Sequence, residues 1–116
     1  MGMFSESGSQ EIDIVKEMAE GLGSQGAKIE ELLEKAHTAE DRVNTLLACY
    51  HGNGSCDRIP DVSKINDSIR EYNRYVDKAE DALRWLLIQR EACGFRTHRN
   101  VNFHYPIPSK MKLIAQ

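Results

Sequence analysis

The chain of 116 residues has no run approaching the ~20 apolar residues that a helix needs to cross a bilayer. It also lacks a glycine-rich phosphate loop, because Gly52-Asn53-Gly54 closes a helical pattern and does not open one after a strand. Residues 1–10 lack the cationic start and apolar stretch of a signal peptide. We therefore expect a cytoplasmic protein without contact to a membrane.

Cysteine is sparse, and its odd number of three favours free thiols in a reducing compartment. Cys49 and Cys56 flank a predicted turn and are able to come close. With His51 they offer three metal ligands, and Cys93 with His98 offers two more. A structural zinc site needs four converging ligands, and the length of a helix separates these two groups. We expect no metal site.

A catalytic signature is missing as well. Nucleophilic catalysis needs a cysteine or serine beside a base and an orienting group, and three cysteines with four histidines form no such pattern. We therefore expect a protein that is not an enzyme and that carries no cofactor.

Two long heptad patterns dominate what is present. Apolar residues recur at positions a and d over three heptads before a turn and four heptads after it, which predicts a continuous apolar seam on each of two helices. The first seam has Ile29, Ala36, Val43 and Tyr50 at a, and Leu32, Ala39 and Leu46 at d. The second has Val62, Ile69, Val76 and Leu83 at a, and Ile65, Tyr72, Ala79, Leu86 and Cys93 at d.

Two such helices joined by about ten residues predict an all-α, coiled-coil-like antiparallel helical hairpin. We expect a flexible N-terminus over 1–9, a helical hairpin domain over 10–94 and an extended basic-aromatic tail over 95–116. Within the domain, Val43, Leu46, Ile69, Val76 and Leu83 should be buried in the seam.

Three glycines divide the first half of the pattern. Residues 10–22 have the apolar periodicity of a short helix, and Gly21, Gly23 and Gly26 should break it before a first long helix over 27–50. Gly52 suits the left-handed residue that ends this helix, and Pro60 suits the start of the next one.

The second long helix is predicted to be longer than the first and to overhang it. The overhang carries Trp85, Leu87 and Ile88 outside the seam. Exposed clusters of large apolar residues mark interfaces, so we expect a homo-oligomer assembled through this surface. For Trp85, the amphipathic pattern itself favours burial in the core, and a surface that faces a ligand or partner is the alternative.

Charge is distributed unevenly along the chain. Residues 1–83 hold 17 acidic and 9 basic residues, whereas residues 84–116 hold 6 basic residues and Glu91 as the single acid. Arginine, lysine and aromatic side chains interleave in the tail, which is typical of sites for single-stranded nucleic acid and nucleotides. Two interpretations stay open: the tail binds such a ligand, or it pairs with the acidic body of the protein. The acidic body disfavours extended duplex nucleic acid.

One stretch of the second helix resembles a known family. Arg70-Glu71, Lys78, Glu80-Asp81-Ala82 and Trp85 have the spacing found in the last helix of the anti-CBASS sponge family, phage helical-hairpin proteins that sequester cyclic oligonucleotide signals. The resemblance covers about 16 residues. The chain departs from the family in its longer first helix and turn, in Asp77 where threonine is usual, and in its basic tail. The resemblance implies a non-catalytic oligomer whose subunit interfaces bind an anionic nucleotide, with Arg70 and Lys78 as contacts.

These observations predict a ligand-binding surface and leave three functions open. The first is a self-associating anti-defence protein that sequesters an anionic, nucleotide-type ligand. The second is a protein-interaction adaptor or secretion-type chaperone that uses an exposed apolar helix stripe, and the third is a nucleic-acid-binding accessory protein. The candidate ligand-binding residues are Arg70, Lys78, Arg96 and Arg99 for charge, and Tyr75 and Trp85 for stacking.

Overall fold

The fold is a hairpin of two long helices, as the heptads predict. The structure, a computed structural model, describes residues 2–53, 56–96 and 99–115, and the side chains of 21–53, 56–96, 101 and 103–115. Helix α1 spans Gly2–Tyr50, α2 spans Val62–Ala92 and α3 spans Arg99–His104, and no strand occurs in the described part of the chain. The molecule measures 73 × 24 × 18 Å.

The predicted break between a short and a long first helix is wrong, because α1 is continuous across Gly21, Gly23 and Gly26. Each glycine costs a helix only about 1 kcal/mol relative to alanine, which packing elsewhere on α1 can offset. Helix α1 is consequently the longer of the pair. The predicted overhang of α2 is also wrong, since Gln89, Ala92 and Cys93 near its end line a cavity together with Gly21 and Leu22.

Both long helices end in the same motif. After α1, the amide of Gly52 donates to the carbonyl of Cys49 and that of Asn53 to the carbonyl of Ala48, at 3.1 and 2.8 Å. This is a Schellman motif, which requires a left-handed residue, and Gly52 has φ +75° as predicted. The motif recurs after α2, where Gly94 has φ +94° and turns the chain out of the helix.

The turn between α1 and α2 is closed by a disulfide bond. Cys49 and Cys56 are joined, with their Cα atoms 5.8 Å apart. The prediction of free thiols is therefore wrong for these two and correct for Cys93. Closing a loop of this length stabilises a fold by about 2.5 kcal/mol in the chain-entropy description.

The core follows the predicted seam. Val43, Ile69 and Val76 are buried, whereas Leu46 and Leu83 are only partly buried and lie at the edges of the apolar clusters. Among the residues whose side chains the structure describes, twelve apolar residues form the buried core, namely Ile29, Ala36, Ala39, Val43, Ile65, Ile69, Tyr72, Val76, Ala79, Ala82, Leu86 and Val101.

The C-terminal tail lies against the hairpin. Its predicted extended course is interrupted by α3, where Val101 packs onto Ile29, Ala82 and Leu86. Residues 106–115 have no helix or strand and run back along α2 toward the turn, with apolar side chains joining two of the core clusters. The tail thus covers one side of the hairpin and leaves the opposite side open.

Candidate ligand-binding groove

The heptad register divides the hairpin surface into two grooves. Positions e lie beside a, and positions g and c lie on the opposite flank of each helix. The e positions Leu33, Leu47 and Asn66 pack against the core or the tail, and we call this side the tail groove. The opposite side, which we call the open groove, is lined along α2 by Glu71, Tyr75, Lys78, Ala82, Trp85 and Gln89.

Two asparagines fasten the tail. The Asn73 side chain donates to the carbonyl of Met111 at 2.9 Å and accepts from its amide at 2.8 Å. Asn66 makes the same pair of bonds to Ile114, at 2.9 and 2.8 Å. Seven helical residues separate the asparagines, roughly 10.5 Å at 1.5 Å per residue, and three extended residues span about 10 Å. The two spacings match, so each asparagine amide meets the backbone N–H and C=O of one tail residue.

Tyr72 adds a third polar contact to the tail groove. Its side chain is buried, and its hydroxyl donates to the carbonyl of Ser109 at 2.9 Å. Burial, assisted by the negative charge of Glu40, raises the pKa of the Tyr72 phenol above its usual value of 10.0. The phenol therefore stays protonated and keeps this bond at neutral pH.

One basic residue of the tail already has an acidic partner. Lys110 forms an ion pair with Asp77 on α2, and this hydrogen bond raises the pKa of the Lys110 ammonium group. At Lys110 the tail pairs with the acidic body of its own chain. That charge is not available to a ligand while the pair is closed.

The open groove brings together two of the predicted site residues. Lys78 and Trp85 line one cavity of about 650 Å³ between α1 and α2. Lys28 of α1 lines it as well, and among the residues that the structure describes neither lysine has an ion-pair partner. Asp81 is the single carboxylate in the wall and is already paired with Arg84 at 3.1 Å. The cavity therefore carries net positive charge in an otherwise acidic body.

Trp85 is the largest aromatic surface of this cavity. Its side chain is 60% exposed, so the interpretation as a core residue is wrong, and the alternative of a ligand- or partner-facing aromatic stays a prediction. Trp85 occupies heptad position c, which is farther from the seam than the neighbouring g positions. Ala82 at position g is buried, whereas Trp85 is not. An amphipathic pattern alone does not distinguish these two rows and therefore misplaces Trp85. An exposed indole face beside two lysines can stack on a planar anionic ligand.

Tyr75 lies in a different part of the open groove. It lines a cavity of about 290 Å³ with three glutamates, while the lysine and arginine in the wall are already used in ion pairs. These pairs join Lys35 to Glu31 at 3.2 Å and Arg42 to Glu71 at 2.9 Å. The excess of carboxylates makes this cavity unfavourable for an anion, and the structure does not place Tyr75 with Lys78 and Trp85.

The predicted arginines are dispersed. Arg70 occupies position b, on the flank of α2 away from Lys78, and pairs with Asp67 at 2.9 Å. Arg96 is exposed beyond the end of α2, and the side chain of Arg99 lies outside the described residues. The structure therefore does not bring Arg70 into the cavity with Lys78 and Trp85.

Within the described part of the chain, metal binding has one geometric candidate. Ligand atoms of His37, Glu40 and Asp41 lie within 4.8 Å of one another on α1. Three groups at the surface fall short of the four ligands of a structural zinc site. Cys49 and Cys56, two of the ligands weighed from the sequence, are joined in the disulfide, and His98 lies outside the described residues.

Comparison with protein-family models, with curated proteins and with solved structures finds no match. Over the described residues, no helix combines the length and apolar character that crossing a membrane requires. The resemblance to the sponge family stays a hypothesis that rests on residues 70–85.

Sequence reasoning missed three residues that matter for the two grooves. Asn66 and Asn73 stand at successive e positions, and Lys28 stands at a g position of α1. Paired asparagines one heptad apart beside an apolar seam were a usable signal for a docked segment. Lys28 had no distinguishing signal, because its role depends on which residues of α2 face it.

Proposed function

We propose that this protein is a non-catalytic, self-associating helical binding protein that sequesters an anionic, nucleotide-type ligand in the open groove. The observation that carries the proposal is the cavity in which Lys28, Lys78 and Trp85 face the same space. Phosphate groups pair with lysine ammonium groups, and a planar base stacks on an indole. The spacing that resembles the phage anti-defence sponge family supports the same ligand class.

The volume of the cavity fits this ligand class. About 650 Å³ lies within the range of ~300–1,000 Å³ typical of small-molecule sites.

Ligand-induced stabilisation tests the proposal. Cyclic dinucleotides and trinucleotides are screened by thermal shift at low salt, where charge-assisted contacts are strongest. A ligand at 100 times its Kd adds ~2.7 kcal/mol of stability, which raises the Tm of a domain of this size by about 10 °C. If neither the screen nor calorimetry detects binding of any cyclic nucleotide, the proposal falls.

Charge reversal tests where the ligand binds. K28E/K78E should abolish binding and leave the helical circular dichroism signal unchanged, because both side chains lie at the surface of long helices. K112E is the matched control, since Lys112 is an exposed lysine of the tail away from the open groove. Equal loss in the control and in K28E/K78E would show a general charge effect and not a site.

A protein-interaction adaptor is the second candidate, and the exposure of Trp85 and Ile88 on α2 favours it. In that case a pull-down from lysate should lose its partner on W85A while cyclic nucleotides produce no thermal shift. A nucleic-acid accessory function is supported least, because the tail is docked and Lys110 is paired with Asp77.

A cytoplasmic location remains part of this proposal. The Cys49–Cys56 disulfide weighs against it, since disulfides persist mainly in oxidising compartments. The thiol state of the protein isolated under alkylating conditions tests it: two protected cysteines in freshly lysed cells would contradict a reduced cytoplasmic pool.

A further inference from the structure

The tail groove is a built site for an extended main chain. Asn66 is only 3% exposed, yet it commits both ends of its amide to the backbone of Ile114. Asn73 does the same with Met111. If the tail left, these amides would exchange four hydrogen bonds to the tail for bonds to water, and the apolar side chains beneath the tail would be exposed. The groove is therefore more stable with an occupant.

The occupant is also held by side chains. Ile107 and Met111 pack on the cluster around Tyr72 and Val76, and Ile114 packs on the cluster nearer the turn. Lys110 pairs with Asp77 beside them. None of these contacts depends on the tail belonging to the same chain as the groove.

The backbone at Gly94 sets the direction in which the chain leaves α2. Here φ is +94°, and the amide of Phe95 donates to the carbonyl of Arg90 at 2.9 Å, so that the chain leaves the axis of α2. A right-handed residue at this position would continue α2 and carry the tail away from its own groove. We call the chain closed when Gly94 turns the tail back onto its own groove, and open when α2 would continue and carry the tail away from it.

We propose that the tail groove accepts residues 105–115 of a second copy of this chain, with two chains exchanging tails about a hinge at Gly94. Such a swap keeps every groove contact and changes only the hinge. The chain's own tail has an effective concentration of roughly millimolar, so exchange increases with protein concentration. This interface is distinct from the Trp85 surface and does not rest on the proposed ligand.

Hinge variants test the exchange. The hinge variants are made in a W85E/I88E background, which removes association through the Trp85 surface. There G94V places a β-branched residue at a positive φ, which strains the closed form and should raise the dimer fraction at least tenfold in sedimentation velocity. G52V is the matched control: Gly52 has φ +75°, and a Cβ at either glycine meets nothing within 4 Å. The control should not increase the dimer. Equal dimer fractions in the two variants would overturn the proposal.

Cross-linking identifies the exchanged segment directly. D77C/K110C in a C93S background replaces the ion pair with two thiols, which a short bis-maleimide can bridge. At 1 mM protein the bridge should form between chains, and its yield should fall about tenfold on tenfold dilution. Bridges confined to single chains at every concentration would refute the exchange, even if the protein associates through another surface. Single-cysteine variants exclude bridges that do not involve the groove.

Discussion

The asparagines of the tail groove perform a task that apolar side chains cannot. Each side-chain amide offers a donor and an acceptor side by side, which pair with the N–H and C=O of one extended residue, so a helix can bind an extended chain without a sheet edge. Asn66 does this while almost fully buried. At the next e position the chain has Glu80, and three residues before Met111 it has Pro108, which has no amide hydrogen to donate. The pairing of side-chain amides with the tail backbone is therefore limited to Asn66 and Asn73.

Alanine at either asparagine should weaken the fold. N66A removes two hydrogen bonds and leaves the backbone N–H and C=O of Ile114 without this partner, at a cost of ~1–3 kcal/mol in urea unfolding. N44A is the control, because Asn44 is exposed on α1 and the same substitution there should cost less than about 0.5 kcal/mol. Equal costs for N66A and N44A would contradict the role of Asn66 in fastening the tail.

Tyr72 predicts a stability that depends on pH. Its pKa is raised in the folded state by burial and by Glu40, so folding is favoured while the phenol is protonated. This contribution is fully present below the unfolded pKa of about 10 and is lost as pH rises through the folded pKa. The raised pKa of Lys110 acts in the same direction.

Urea unfolding at pH 8 and pH 11 measures this effect. The wild type should lose stability between the two values, and Y72F should lose less, because one of the titrating groups is gone. At pH 8, Y72F should itself cost about 0.5–1.5 kcal/mol for the bond to Ser109. An identical pH dependence in Y72F and the wild type would show that Tyr72 does not titrate with folding.

At the scale of elements, the glycines of α1 have different surroundings. A Cβ at Gly21 or Gly23 meets nothing within 4 Å, whereas a Cβ at Gly26 would clash with the hydroxyl of Tyr105. Gly26 stands at an e position, so its missing side chain admits the start of the tail. The glycines that suggested a helix break thus include one that serves packing.

Alanine substitutions should separate these roles. G21A and G23A each replace a helix-disfavouring residue in open space and should raise the Tm, corresponding to about 0.5–1 kcal/mol. G26A should give no such gain, because Tyr105 must move. Adding Y105A to G26A should bring the effect of the alanine closer to that of the other two. A gain in G26A equal to that in G21A would contradict the contact.

The sequence predicted the seam well because a and d burial follows from periodicity alone. Val43, Ile69 and Val76 are fully covered as expected. It predicted the contacts between the C-terminal tail and the hairpin poorly, since the docked tail has no apolar period and its contacts depend on main-chain atoms. Lys78 and Trp85 were identified by their spacing, and Lys28 required knowledge of which α1 residues face them.

At the scale of the whole molecule, the hairpin is a rod in which the tail covers one flank and leaves the other exposed. The radius of gyration is 20.8 Å, against about 13 Å for a compact globule of this length. A rod has a large surface for its volume, and the tail covers only one flank. Outside the tail groove, α2 carries Trp85 at 60% and Ile88 at 48% exposure, while the third predicted interface residue, Leu87, packs on the core.

We therefore predict that the protein self-associates through Trp85 and Ile88. W85E/I88E places two carboxylates on this surface and should reduce the mass measured by light scattering to that of a monomer, because a buried unpaired charge opposes any apolar contact. I59E is the control, since Ile59 is 67% exposed at the opposite end of the hairpin. It should leave the mass unchanged.

A monomeric wild type at high micromolar concentration would refute the prediction, and so would a W85E/I88E variant that keeps the wild-type mass. Because both changes lie at exposed positions of α2, the helical content should stay the same, which separates lost assembly from lost folding.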